Sequence, residues 1–159
     1  DHVGGFLSLA DFADTTLTVD YPRERIVVGA QAEGIAIPCR AHWEGPAVSL
    51  HMPLVLPDGR EAEVEVDMGS DALILDDRFR ELGAAEERRV DGHDETRHAY
   101  TRRFTTLPGR IHPVGAPELA QDDPDVMFQS IVYDGLVGDR FLRRHVVTFD
   151  VASSTLTFA

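Results

Sequence analysis

Lysine is absent from this 159-residue chain: all 15 basic residues are arginine, set against 28 acidic ones, for a net charge of −13. A field of that sign repels polyanions, which argues against nucleic acid and anionic membrane surfaces as partners. Cysteine is nearly absent too. Cys39 alone can neither close an intrachain disulfide nor build a thiolate metal cluster, and its strand-like context, "GIAIPCRAH", reads as a buried, inert thiol. No apolar run approaches the ~18 residues needed to cross a bilayer as a helix, so no membrane insertion is expected of this segment. No signal-peptide pattern opens the chain at Asp1. The missing initiator Met reads as a processed or excised piece, and localisation stays open.

Long helical periodicity is the remaining absence. Short alternating runs occupy 15–21, 23–29, 34–43, 47–59, 60–67 and 71–75, and Pro57-Asp58-Gly59 is a hairpin turn between two of them. One helix start is predicted over 76–89, capped by Asp76 or Asp77, with Gly83 ending its first part. The charged stretch 84–98 reads as a solvated loop or hairpin tip. A strand pair is predicted around Pro108-Gly109, and 116–129 reads as a loop with a short helix. The end of the chain gives strand, glycine turn, short helix, strand, turn, strand. Apolar residues at 43% and charged residues at 27% are ordinary globular values, and the length suits one domain with a sizeable core. The expected fold class is all-β, a closed or nearly closed barrel.

An internal repeat stands out. "GFLSLADFADTTLTVDYPRERIVV" (5–28) aligns without a gap on "GLVGDRFLRRHVVTFDVASSTLTF" (135–158). Gly5 falls on Gly135, Leu7 on Val137, Phe12 on Leu142, Thr18-Val19-Asp20 on Thr148-Phe149-Asp150, Ile26 on Leu156 and Val28 on Phe158. A chance alternation reproduces one strand, but less readily the order glycine, helix, strand, Asp, strand. The match reads as a duplication.

Three further stretches carry chemistry. In "EAEVEVDMGSDALIL" (61–75), Asp67 closes an alternating strand and is followed by Met68, Gly69, Ser70 and a new apolar run. Taken alone, Asp67 is either a carboxylate held at a strand end or the polar residue that starts a turn. Glycine lets the backbone turn tightly there, so that amide groups approach the carboxylate, and Ser70 adds a hydroxyl. "DGLVGDRFL" (134–142) supplies a glycine turn with Gly135 and Gly138, and "HVVTFDVASSTLTF" closes the chain.

In this order and at this spacing the three stretches resemble a retropepsin-like aspartic protease domain of the bacterial type, over about 34–159, with the repeated tail at 5–28. The resemblance implies an acid-protease barrel with one or two short helices. Residues 1–30 would be the tail of a preceding homologous repeat, or its packed equivalent, and 31–159 the protease domain. It places Asp67 as the catalytic residue, Met68, Gly69 and Ser70 in the active-site loop, and Gly135 and Gly138 in the turn that supports it. It implies no cofactor and no metal, a peptide or protein substrate, and an exported or periplasmic setting. Catalysis in this family needs two carboxylates sharing one proton, one activating water and the other polarising the scissile carbonyl. Only one such motif is present here, so a homodimer or a preceding lobe of the same parent chain must supply the second. The repeat favours the preceding lobe.

Met68 departs from the family pattern, where Thr or Ser stands and its hydroxyl bonds into the partner loop. Methionine has no donor, and a misplaced catalytic group loses orders of magnitude in rate. The readings are therefore an aspartic endopeptidase lobe, impaired or not, and a non-catalytic peptide-binding or assembly domain derived from that fold. By order, the hairpin covering the cleft would be 88–104. Metal binding by Asp91, His93, Asp94, Glu95 and His98 is disfavoured, because histidines five apart suit neither a helical pair nor one face of a strand. His42, His51, His112 and His145 lie in strands without a nucleophile pattern beside them, and Gly4-Gly5 and Gly135-x-x-Gly138 are too sparse for a phosphate cradle.

Overall fold

The computed structural model describes residues 7–93 and 96–159, and these divide into two compact units. One holds the chain up to Met52 together with Leu142–Ala159; the other is Pro53–Phe141. Gly4, Gly5, Asp94 and Glu95, named above, lie outside the described residues.

The strands of the first unit are β1 (Thr16–Asp20), β2 (Arg25–Val28), β3 (Ile35–Pro38), β4 (Arg40–Glu44) and the start of β5 (Ala47–Val55). Those of the second are β6 (Glu61–Val66), β7 (Leu73–Asp76), β8 (Arg88–His93), β9 (Ala99–Thr106), β10 (Arg110–Pro113), β11 (Gln121–Asp122), β12 (Asp125–Gln129) and β13 (Gly135–Val137). A single helical turn, α1 (Asp139–Leu142), precedes β14 (Val146–Asp150) and β15 (Thr155–Phe158), which return to the first unit.

In the first unit a five-stranded sheet runs β2-β1-β14-β15-β3, and β4 forms a hairpin with β5 from Ala47 to His51. Leu17, Ile37, Val147, Phe149, Leu156 and Phe158 are its buried apolar residues, each contributing about 1.5–3 kcal/mol by leaving water. The two terminal hairpins coincide, element by element, at the offset seen in the sequence. A 3-10 turn at Leu9–Phe12 matches α1, β1 matches β14 and β2 matches β15. Asp20 accepts the Arg23 N–H at 3.2 Å, as Asp150 accepts that of Ser153 at 3.0 Å. The turns that follow place Glu24 at φ 50° and Ser154 at φ 51°, a left-handed conformation uncommon for either residue type.

The second unit follows the succession β11-β10-β5-β6-β13-β7-β12-β9-β8, in which β10 pairs with Leu54 and Val55. The Pro57-Asp58-Gly59 turn forms as expected, with Gly59 at φ 85° and the Leu56 N–H bonded to the Arg60 carbonyl at 2.8 Å. Strands dominate, in agreement with the all-β expectation. Closure is not seen: no pairing joins β11 to β8 among the described residues, and both sheets are open.

Three local expectations are corrected. The helix over 76–89 is a 3-10 segment, Asp77–Leu82, capped by the Asp76 carboxylate. It stops because Gly83 is extended and packs where a side chain would strike Phe128 and Thr105, and the Ala84 N–H then joins the Thr106 carbonyl. The strands flanking Pro108-Gly109 do not pair with each other. β9 lies between β8 and β12, while β10 lies between β5 and β11, because Leu107 and Gly109 bond instead to Pro124 and the Asp123 side chain. Finally, 125–129 is a strand parallel to β7. Val126, Met127 and Phe128 are all buried, so it lacks the alternation that marks a half-exposed strand.

Candidate functional site

β6 buries Ala62, Val64 and Val66 and turns Glu61, Glu63 and Glu65 the other way, the period-two pattern of a strand with one apolar face. Asp67 is the next residue. Its N–H donates to the Val137 carbonyl at 3.0 Å, and its carbonyl accepts the Ser70 N–H at 3.3 Å, closing a four-residue turn. Within that turn Asp67 Oδ1 accepts the Gly69 N–H at 2.8 Å. A β-carbon on Gly69 would lie 3.1 Å from the same oxygen, so glycine leaves the carboxylate room to face its backbone donor. Met68, at the apex, is exposed.

The loop is gripped from behind. β13 is inserted between the two strands that the loop connects, parallel to β6 and antiparallel to β7. Gly135 fits there because a β-carbon would come within 2.5 Å of the Ile74 carbonyl oxygen and 2.8 Å of Leu75. Gly138 is tighter. A β-carbon would press into the Ser70 carbonyl, 2.7 Å from its carbon and 2.9 Å from the Ala72 oxygen. Past it, the Asp139 N–H donates to the Ser70 carbonyl at 2.6 Å and the Arg140 N–H to the Asp71 carbonyl at 3.2 Å. The Arg140 side chain adds ion pairs to Asp71 at 3.1 Å and Asp125 at 2.7 Å. Asp67, Met68, Gly69, Ser70, Gly135 and Gly138 are thus brought into one loop and its support.

Two residues near the loop escaped the sequence reading. Burial pushes the Tyr133 phenol up to about 12, and the Glu65 carboxylate it bonds to and the charge on Asp67 push the same way. Its hydroxyl thus bonds to Glu65 and lies within the field of the Asp67 carboxylate. The alternation of β6 was the available signal for Glu65, two residues before Asp67 on the same face. Nothing local marked Tyr133, which is brought there by the insertion of β13. A cavity of about 560 Å³ opens beside the loop, lined by Asp71, Ala72 and Arg140 and, from the β8–β9 hairpin, by Arg88 and Phe104.

The other candidates lie elsewhere. The hairpin expected over 88–104 forms, pairing Arg88 with Phe104 through His93 with Ala99. Asp91 is engaged by the Thr101 hydroxyl at 2.6 Å and by Arg89 at 3.0 Å, which hold its carboxyl below the usual range. His98 Nδ1 is 2.6 Å from the Thr96 hydroxyl. His51 has a serine partner after all: Ser49 Oγ is 3.0 Å from its Nε2, two residues away on one face of β5.

No family model matches the sequence, and no curated protein does. Among solved structures, the chain is similar to a retropepsin-like aspartic protease from Rickettsia conorii, with a TM-score of 0.53 and 11% sequence identity over 79% of this chain and 98% of that one. The likeness is one of fold: a β-rich, retropepsin-like architecture. No helix among the described residues is long and apolar enough to cross a membrane.

Proposed function

We propose that this chain is one lobe of an aspartic endopeptidase and that Asp67 is one of its two catalytic carboxylates. The observation that carries the reading is the placement of Asp67: at the end of β6, bonded to the Gly69 N–H, in a loop braced by Gly138 and α1. In the working pair one carboxylate takes a proton from water as the water oxygen attacks the scissile carbonyl carbon. The protonated partner donates to the carbonyl oxygen, giving a gem-diol. Return of a proton to the amide nitrogen breaks the C–N bond and releases an acid and an amine. Peptides are the substrate class, and an extended peptide is held by strand-like backbone bonds.

The second carboxylate comes from a preceding lobe, of which residues 1–30 are the tail; the coincidence of the two terminal hairpins supports this over a homodimer. Met68 offers no hydroxyl to lock the paired loops, so turnover is slow even in the complete enzyme. The test is cleavage of a peptide mixture at acidic pH by this chain, by the longer polypeptide that includes the upstream lobe, and by Asp67→Asn in each. Turnover is expected in the longer polypeptide alone and is lost in Asp67→Asn. Robust Asp67-dependent cleavage by the isolated chain would replace the lone-lobe account with a homodimeric site. Cleavage indifferent to Asp67 would sink the assignment.

A further inference from the structure

The five-stranded sheet of the first unit has an approximate two-fold relation between its terminal hairpins. Thr18 pairs with Thr148, 130 positions later, and the register is symmetric about that pair: Leu17 faces Phe149, and Val19 faces Val147. Each hairpin repeats the other's pairing, Leu17 with Val28 as Val147 with Phe158, and Val19 with Ile26 as Phe149 with Leu156. Even the closing bonds agree, Gly29 N–H to the Thr16 carbonyl and Ala159 N–H to the Val146 carbonyl, both at 2.9 Å.

The surroundings of the two hairpins do not agree. The outer edge of β15 is paired with β3, and Leu156 and Phe158 are 0% and 1% exposed. β2 ends the sheet with no strand beyond it among the described residues, and its matching residues Ile26 and Val28 are 67% and 55% exposed. Leu7 is 81% exposed, whereas its counterpart Val137 is 0% exposed. Three of the exposed large apolar side chains are thus those whose repeat partners are core. An unpaired strand edge with an apolar face is a docking surface left open.

We propose that the β2 edge, with Ile26, Val28 and Leu7, is the docking face for a second lobe homologous to residues 35–134, lying earlier in the same polypeptide. The repeat identifies the occupant. What β15 receives from β3, β2 receives from the equivalent strand, and the constant offset puts that strand upstream. A second copy of this chain cannot lend its β3, which its own β15 already holds. The same offset places the counterpart of Asp67 in that lobe, about 130 residues before it. This last assignment rests on the endopeptidase reading; the docking face does not.

Amide hydrogen exchange separates the two. In the longer polypeptide the amides of residues 25–28 are expected to exchange about tenfold or more slowly than in the 159-residue chain. Ile26→Asp with Val28→Asp should leave the melting temperature of the short chain unchanged and lower that of the longer one. Equal exchange in both, or equal destabilisation of both, overturns the proposal. A dimer of the short chain abolished by the same substitutions overturns it in favour of a second copy, and a parent reading frame with no upstream β-rich segment overturns it outright. Protection of β2 without peptide cleavage upholds the docking face and rejects the enzyme reading.

Discussion

The buried hydroxyls of Thr18 and Thr148 lie 2.8 Å apart, and their neighbours fix which one donates. Thr18 gives its only proton to the Ala30 carbonyl at 2.5 Å, so Thr148 donates to Thr18 while itself accepting the Ala32 N–H at 3.0 Å. A single directed chain of hydrogen bonds thus passes through the centre of the sheet.

That direction fixes which donor each substitution leaves unpaired. Thr148→Val strands the Ala32 N–H and removes the donor to Thr18, a loss of about 1–3 kcal/mol. Thr18→Val leaves the Ala30 carbonyl still bonded to Thr16 but removes the acceptor of the buried Thr148 hydroxyl, so it should also cost about 1–3 kcal/mol. Urea unfolding of both single variants and of the double variant measures the coupling: the double variant should cost less than the two single costs together, and strict additivity would refute the contact.

The two loop glycines should fail differently. Gly138→Ala drives a β-carbon into the Ser70 carbonyl and the Ala72 oxygen. Neither is the movable end of a side chain, so a loss of about 2–3 kcal/mol is expected. Gly69→Ala meets only the Asp67 carboxylate, which can turn aside, so stability should change by less than about 1 kcal/mol while any Asp67-dependent cleavage falls. Thermal unfolding alongside peptide cleavage distinguishes these outcomes.

Tyr133 gives the fold an alkaline limit. Its folded value is raised from 10.0 to about 12, by burial first and then by Glu65 and Asp67. The neutral phenol is therefore favoured by folding, and above pH 10 the folded state holds a proton that the unfolded state has lost. Its contribution is complete below pH 10 and disappears between pH 10 and about 12. Phenolate absorbance should show one late-titrating tyrosine, lost in Tyr133→Phe; a wild-type titration unchanged by that substitution would refute the environment described.

Cys39 should behave as a thiol without a thiolate. Burial pushes it up to about 12, and its Sγ lies 3.4 Å from the Ile37 carbonyl. At mildly alkaline pH, alkylation of the folded chain should be at least about a hundredfold slower than in denaturant. Equal rates would show the thiol to be exposed.

Strand-rich character, the Pro57-Asp58-Gly59 turn and the loop around Asp67 were legible because each is written in adjacent residues: alternation, a turn triplet, an acid before glycine. The fully buried β12 was not, since Val126-Met127-Phe128 shows no polar face. The stop at Gly83 was legible, but not that no helix resumes after it, because Gly83 meets Phe128 and Thr105 and Ala84 bonds to Thr106, all from distant strands. Pairings across long separations, such as β9 with β12 and β13 with β6, leave no mark in either partner's own stretch. Tyr133 was missed for that reason, and Glu65, though on the same face as Asp67, means little until Tyr133 stands beside it.

The insertion of β13 between β6 and β7 also sets a clock. The loop bearing Asp67 acquires its brace from Gly138 and Arg140, the latter 69 positions beyond Asp71, and contacts over such separations form late. During synthesis β6 and β7 leave the ribosome long before the strand that joins them, so the loop stays unbraced until residues 135–140 arrive. A carboxylate loop assembled this way is held in place only once the strand behind it has been made.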